Sequence, residues 1–264
     1  MLKFALKNWL ILLVLIPLIC LAIFSLALME NSNNMLPLLV KATPHCETCF
    51  NYGAPGSGNP PGGGSCDNVG HYYQDNLFTG WPVDFWPGNW NIVTAWYCDP
   101  QYFLDYHSHH WGIDLARLDW SADPSHSIEG AAVISTTEHA IVRQAVYCNP
   151  ACWNWGMGNF VQLEALERQP ECTIDPNTHT PICGVIWVAS GWKATYMHLH
   201  DLEVKVGDAV SRGQVLGHVD NTGNSSGPHL HYQINDPAGR PIDPAPAMKS
   251  NYTDELRTQW KGTR

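Results

Sequence analysis

Charged residues are scarce in this sequence, and basic residues are scarcer than acidic ones. Charged side chains make up 14% of the chain, and 24 acidic against 14 basic residues give a formal net charge of −10. A protein that binds nucleic acid needs a basic face for the phosphates, so nucleic acid is excluded as the expected partner. A hydrophobic content of 45% also argues against a disordered chain and favours a compact secreted or surface protein.

Strong helical periodicity is largely missing as well, and residues 163–167 are a short, ambiguous helical candidate. Short apolar runs rich in β-branched and aromatic residues recur between turn signals instead. Examples are residues 131–135, 140–146, 160–163, 185–188, 194–199, 204–206 and 214–219. Many short runs of this kind predict a mainly β fold, in the form of an antiparallel β sandwich or a barrel-like domain.

The N-terminal segment is apolar and follows two lysines. Lys3 and Lys7 precede an uncharged run of 20 residues at positions 9–28. A run of about 17–25 apolar residues is long enough to span a bilayer, and the lysines favour an orientation that leaves the rest of the chain outside. We therefore expect residues 1–28 to be a signal anchor in the membrane. Cleavage near Ala27 stays open as an alternative, and it would give a secreted protein.

Cysteines, by contrast, are plentiful. Eight of the nine lie outside the apolar run, at positions 46, 49, 66, 98, 148, 152, 172 and 183. An even number in an exported chain predicts disulfides, which we favour over a zinc ribbon or a redox pair at Cys46-x-x-Cys49. Residues 171–184 look like an inserted loop, and we expect a Cys172–Cys183 disulfide at its base.

The composition divides the remainder of the chain into three parts. Residues 29–70 read as a linker, whose second half, residues 51–70, is dense in glycine, proline, serine and asparagine, and which Cys46, Cys49 and Cys66 would staple locally. Residues 71–248 have the composition of a globular domain. Residues 249–264 form a polar C-terminal tail.

Two histidine motifs suggest metal chemistry. His229 and His231 lie two residues apart on a predicted strand, so both imidazoles point to one face. Upstream, His110 and Asp114 lie four residues apart, and Gly112 between them would let the backbone fold so that both side chains converge. Imidazole nitrogens with a carboxylate oxygen suit zinc. Taken singly, each motif would also fit a solvated loop or an exposed edge strand.

Four motifs in order give the chain a recognisable signature. They are HHWGID at 109–114, TYMHL at 195–199, VKVGDAVSRGQVLGHV at 204–219 and TGNSSGPHLHYQI at 222–234. Together they resemble the lysostaphin-type zinc metallopeptidases, which cut peptide bonds in bacterial peptidoglycan. The resemblance covers roughly residues 80–245 and implies that family's β fold, the duplicated hybrid motif, with Zn²⁺ as cofactor and peptidoglycan peptides as partner.

The resemblance also implies a role for each site residue. His110, Asp114 and His231 match the family's three zinc ligands, and His198 and His229 match its two catalytic histidines. The ion would activate a water molecule as nucleophile, since bound zinc lowers the pKa of water to about 7. The sequence has no His-Glu-x-x-His motif and hence no glutamate base of that type, so the two histidines are expected to assist the water.

Some features depart from the family pattern. His107, His109 and His200 are extra. His107 and His109 could orient His110 or bind a second metal loosely, but we favour no role for them, and we expect His200 at the surface or behind the ligands. The tryptophan-rich residues 80–102 are expected to serve core packing rather than stacking on sugar or peptide. Two further functions stay open, namely a catalytically silent member that binds wall or regulates a hydrolase, and a disulfide-stapled adhesion module with incidental histidines. The oligomeric state is not predicted.

Overall fold

The structure of this protein is a computed structural model. By its contacts the chain divides into two units, Met1–His45 and Cys46–Arg264, and every described residue belongs to the second. The structure describes residues 64–84, 92–117, 127–147 and 156–248. The predicted anchor, most of the predicted linker and the C-terminal tail lie outside these residues, so they stay predictions. Within the described ranges, no helix has the length and apolarity needed to cross a membrane.

The described residues form ten strands and two short α-helices. The strands are β1 (Val93–Ala95), β2 (Ile113–Leu115), β3 (Ala132–Ile134), β4 (His139–Val146), β5 (Asn159–Ile174), β6 (Pro181–Leu199), β7 (Ala209–Ser211), β8 (Val215–His218), β9 (Leu230–Asn235) and β10 (Pro241–Ile242). The helices are α1 (Pro100–Tyr106) and α2 (Ala245–Met248), and a 3-10 turn covers Cys66–Asn68.

Eight of the described strands form one sheet. Its order is β1-β2-β9-β6-β5-β4-β7, with β10 also paired to β9, while β3 and β8 form a separate two-stranded sheet. Every pairing between these strands is antiparallel. The prediction of a mainly β, antiparallel domain is therefore confirmed.

One hydrophobic cluster joins the two sheets. It contains Leu163 of the large sheet together with Val133 and Leu216 of the small one, each fully buried. Trp81 and Trp96 are also part of this cluster, at 8% and 1% exposure, so these two tryptophans serve core packing as predicted. The other two tryptophans of residues 80–102, at positions 86 and 90, lie outside the described residues.

The short helical candidate at residues 163–167 is wrong. These residues belong to β5, where Leu163 pairs with Val142 and Ala165 pairs with Ala140. A stretch this short has little helical stability of its own, so pairing with β4 and β6 on both sides decides its conformation.

Strands β5 and β6 extend beyond the rest of the sheet as a two-stranded arm. From Leu166↔Ala189 outward they pair only with each other, up to Ile174↔Pro181. The predicted Cys172–Cys183 disulfide lies across this ladder between directly opposite residues. The prediction of an inserted loop at residues 171–184 is wrong, because most of this segment continues the two strands.

A second disulfide joins Cys66 to Cys98. The predicted local staple of the linker is therefore wrong for Cys66, which bonds to the turn that precedes α1 instead. The hydroxyl of Tyr97 reinforces this tie, since it lies 3.0 Å from the carbonyl oxygens of Ser65 and Pro241. The cysteines at positions 46, 49, 148 and 152 lie outside the described residues.

Replacing both Cys66 and Cys98 by serine should lower the free energy of unfolding by about 3–4 kcal/mol, because the disulfide closes a loop of some thirty residues in the unfolded chain. Urea denaturation of the oxidised protein measures this loss. The matched control replaces Cys172 and Cys183. Without the Cys172–Cys183 disulfide the arm frays in the folded protein as well as in the unfolded chain. We therefore expect new proteolysis near the arm tip, and a smaller change in urea midpoint than for the Cys66/Cys98 variant. An unchanged midpoint for the Cys66/Cys98 variant would contradict the prediction.

Candidate metal centre

The pairing of β2 with β9 builds the centre of the site. Asp114 lies directly opposite His231 in this ladder. Residues that face each other across an antiparallel pair project to the same side of the sheet. Accordingly, Oδ1 of Asp114 lies 2.9 Å from Nδ1 of His231. Both residues are buried, at 9% and 5% exposure.

His110 reaches the same point from the segment just before β2. Its Nε2 lies 3.0 Å from Oδ1 of Asp114 and 3.0 Å from Nδ1 of His231. Its Nδ1 lies 3.0 Å from the carbonyl oxygen of Trp96. Because a carbonyl can only accept, Nδ1 carries a proton, and in its neutral form the ring presents a bare Nε2 to its two neighbours.

Gly112 is needed here for a steric reason. A Cβ atom at this position would lie 2.6 Å from Nε2 of His231 and 2.6 Å from the carbonyl oxygen of Tyr232. Real Cβ atoms essentially never come so close to backbone. The sequence predicted that Gly112 lets the backbone fold so that His110 and Asp114 converge. The structure shows in addition that the missing side chain of Gly112 leaves room for His231.

His198 comes to the site through an unusual backbone conformation at the end of β6. Its φ is +64°, in the left-handed region that costs a non-glycine residue about 1–3 kcal/mol. Two backbone hydrogen bonds hold it there, one donated to Met157 and one accepted from Asp220, both 3.1 Å long. The ring of His198 lies 4.6 Å from that of His229 and 6.2 Å from that of His231, measured between centroids.

Backbone carbonyls fix the tautomers of His198 and His229. Nδ1 of His198 donates to the carbonyl oxygen of Thr222 at 2.7 Å, and Nδ1 of His229 donates to that of Gly227 at 2.9 Å. The hydroxyl of Ser225 donates to the same Gly227 oxygen. Each ring therefore has a bare Nε2 in its neutral form, and that of His229 lies 3.7 Å from Oδ1 of Asp114.

The charges of these buried groups depend on one another. Burial works to raise the pKa of Asp114, but the positive charges and hydrogen bonds of His110 and its neighbours hold it well below its usual range. Burial works to lower the pKa of His110, and the Asp114 carboxylate outweighs this and raises it. Burial and the nearby His229 and His231 keep the pKa of His198 well below the usual value for histidine. The Asp114 carboxylate is thus the negative charge that favours protonation of the neighbouring His110.

The donor set fits a divalent metal ion such as zinc. Two imidazole nitrogens and one carboxylate oxygen form a triangle whose sides measure 2.9–3.0 Å. Their lone pairs converge in a buried space, which is unfavourable unless a proton or a cation lies among them. Ligands held about 2.0–2.2 Å from a tetrahedral zinc lie roughly 3.3 Å apart, so a small outward shift of these side chains accommodates the ion.

The structure places the extra histidines outside this triangle. His200 has a side chain that is 66% exposed and contacts Asp220 at 3.0 Å. His107 caps the C-terminus of α1, and His109 lies 3.5 Å from Sγ of Cys66. None of the three lies within the triangle, and the expectation that they have no catalytic role stays a prediction.

Two other groups of metal-binding residue types occur among the described residues, and neither fits as well. Cys66 and Cys98 lie near His109, but their disulfide leaves no thiolate to bind a metal. Asp201 and Glu203 lie near His218, in a solvent-accessible cluster where Nδ1 of His218 already contacts Asp201 at 2.8 Å.

Sequence reasoning missed Tyr102, whose ring packs against His110 at a centroid distance of 4.6 Å. Burial and the nearby Asp114 raise the pKa of Tyr102 to about 12, so its hydroxyl keeps its proton at neutral pH. The orienting carbonyls of Trp96, Thr222 and Gly227 were also missed. Every residue type has a backbone carbonyl, so the sequence gives no signal for these groups. Tyr102, by contrast, was a usable signal, because it is an aromatic residue eight positions before His110.

Two histidines and one carboxylate, buried together beside two further histidines, are the side chains expected of a metal-dependent hydrolase site. Comparison with known proteins agrees with this class. Residues 183–244 match the model of Peptidase family M23, which confirms the resemblance to the lysostaphin-type peptidases. The matched segment contains His198, His229 and His231, while His110 and Asp114 precede it.

Similar proteins carry peptidase names. The chain is 45% identical over 67 residues to the peptidoglycan DD-endopeptidase ShyA of Vibrio cholerae. This alignment covers 25% of this chain and 15% of that protein. The chain is 47% identical over 77 residues to lysostaphin of Staphylococcus staphylolyticus, which covers 25% and 16%. The chain thus spans about a sixth of the length of these relatives.

Among solved structures, a zinc-containing peptidase from Vibrio cholerae is similar over 67% of this chain and 41% of its own. The sequence identity is 23% and the TM-score is 0.43.

Replacing Gly112 by alanine should displace His231 and lower the affinity for zinc by at least about tenfold, because the new methyl group overlaps the His231 ring and a backbone carbonyl. Isothermal titration with zinc measures the affinity. The matched control is Gly184→Ala on the arm, where an added Cβ meets nothing within 4 Å. Equal zinc affinity of the two variants would show that Gly112 is not needed for the site.

Proposed function

We propose that this protein is a zinc-dependent endopeptidase that hydrolyses peptide bonds of bacterial peptidoglycan. The observation that carries the proposal is the buried triangle of His110, Asp114 and His231 with His198 and His229 beside it. The match to a peptidase family and the names of the relatives support the substrate class.

In this proposal His110, Asp114 and His231 hold the zinc ion. The carboxylate supplies the negative charge, and the Trp96 carbonyl fixes His110 in the tautomer that offers Nε2. When bound, the ion supplies a Lewis acid that polarises a peptide carbonyl and lowers the pKa of water. Burial of all three ligands keeps competing water away and strengthens every electrostatic interaction at the site.

His198 and His229 move protons in this proposal. Each has its Nδ1 proton committed to a backbone carbonyl, so each can take up or release a second proton at Nε2. One ring can accept the proton of the attacking water, and the other can donate to the leaving amine or to the developing oxyanion. Their fixed orientation means that little reorganisation is needed during the reaction.

The catalytically silent alternative is not favoured. A silent member that only binds wall has no need for the bases, and here both histidines are oriented by backbone carbonyls beside the proposed ligands. The adhesion alternative leaves the convergence of the five side chains without an explanation.

The two kinds of histidine should differ when each is replaced by alanine. His231→Ala removes a ligand, so the variant should retain less than stoichiometric zinc and lose activity. His229→Ala should keep most of its zinc and lose about 10²- to 10⁴-fold in kcat, the usual contribution of a general acid or base. Zinc per chain by mass spectrometry and peptide cleavage rates measure both effects.

His179→Ala provides the control, because His179 is exposed at the arm tip and away from the site. It should match the wild type in zinc content and rate. An empty site in His229→Ala would contradict the proposed division between ligand and proton carrier.

The substrate is tested with purified cell walls. The zinc-loaded full chain should release peptides with new amino termini from peptidoglycan, and a chelator should stop the release until zinc is restored. Mass spectrometry of the products identifies the bond that is cut. If the metal-loaded protein cleaves none of several wall types that differ in their cross-links, the proposed function is wrong.

A further inference from the structure

Helix α1 lies beside the metal centre and is unusually apolar for an exposed helix. None of its seven residues is buried. Phe103, Leu104 and Tyr106 expose 44%, 66% and 61% of their surface. Exposed apolar residues in a contiguous group mark an interaction surface more often than scattered single ones do. We call these three residues, together with Tyr102, His109 and Trp111, the aromatic platform.

The platform is continuous with the metal centre. The ring of Tyr106 contacts that of Tyr102 at 4.5 Å, and Tyr102 in turn packs on the proposed ligand His110 at 4.6 Å. A second row runs from Phe103 to His109 at 4.8 Å and on to Trp111 at 5.3 Å. These contacts hold the rings in place, so a ligand that stacks on them needs little ordering of the protein.

We propose that the aromatic platform binds the polysaccharide strand of the substrate, and so positions the attached peptide in the metal centre. The inference rests on the proposed function, because only a glycan-bearing peptide presents both parts to one site. The sequence favours core packing over stacking on sugar or peptide for the tryptophan-rich residues 80–102. Tyr102 is the last of these residues, and the exposed rings of Phe103 and Tyr106 follow it.

The chemistry of the platform suits a pyranose ring. One face of a sugar ring carries C–H groups that pack on an aromatic ring, and its rim carries hydroxyls that need hydrogen-bonding partners. Gln101 and Asp105 provide such partners on the same helix, where the amide of Gln101 donates to the carboxylate at 2.8 Å. The helix offers no cationic side chain, so the proposed recognition rests on stacking and hydrogen bonds and not on charge attraction.

The test measures binding of the zinc-loaded full chain to glycan strands from which the peptides have been removed. Tyr106→Ala and Phe103→Ala should each weaken binding by about 3- to 10-fold, the effect expected for one aromatic stacking contact. Tyr106→Trp should bind the glycan strands as the wild type does, because the larger ring keeps the stacking surface. Ile174→Ala on the arm is the matched control for Leu104→Ala, because Ile174 has the same size and a similar exposure of 62%. This control variant should bind as the wild type does.

Cleavage provides a second readout. For the ring variants, kcat/KM on glycan-bearing wall should fall by about 3- to 10-fold more than kcat/KM on glycan-free cross-linked peptides, chiefly through KM. Thermal unfolding of the same variants should match the wild type. A large fall in Tm would mean that other residues of this chain cover the rings, and that result overturns the inference.

The inference and the proposed function fail in different ways. If the wild type cleaves wall but does not bind peptide-free glycan, or if the ring variants bind it normally, the platform is not a sugar site while the peptidase proposal stands. If the wild type binds glycan but cleaves no wall, the proposed function fails and the glycan site is supported on its own measurement.

Discussion

The candidate site depends on the register between β2 and β9. Asp114 opposes His231, and the neighbouring pairs Ile113↔Tyr232 and Leu115↔Leu230 are fully buried on the other face of the sheet. Because side chains alternate, a slip of one residue would turn Asp114 into the core and expose its apolar neighbours. The hydrophobic pairs thus set the register that brings a carboxylate and an imidazole within 2.9 Å.

The same alternation explains why His198 needs a strained backbone. On β6, Tyr196 pairs with Tyr232 and its hydroxyl reaches Thr136 on the core face, while Met197 pairs with His231 on the site face. Regular alternation would place His198 on the core face, away from His229. Its left-handed conformation breaks the alternation at this point. The strain is offset locally by the backbone hydrogen bonds with Met157 and Asp220.

Much of the fold class could be predicted from sequence, and so could the five side chains that the structure brings together at the candidate site. The strands carry a clear signal in their β-branched and aromatic runs, and His229 with His231 shows the two-residue period directly. The extension of β5 and β6 into an arm could not be predicted, because the prolines, the cysteines and the single glycine at residues 170–184 look like loop residues when pairing is unknown. The Cys66–Cys98 disulfide was equally hidden, since cysteine counts alone do not fix partners.

The least predictable part of the site is the set of groups that orient the histidines. These are backbone carbonyls, and any residue type provides one, so their positions follow only from the folded chain. Their effect is nevertheless large, since a neutral histidine whose Nδ1 proton is held by a carbonyl can offer only Nε2 to a metal or to a proton. In His110 this directs Nε2 at Asp114 and His231. The burial of three converging acceptors is unfavourable by itself, so the sheet around them must be stable enough to hold them together before any ion binds. Strand β9 meets this need, because β2 and β6 pair with it on either side of His231 and its core-facing residues Leu230, Tyr232 and Ile234 are fully buried.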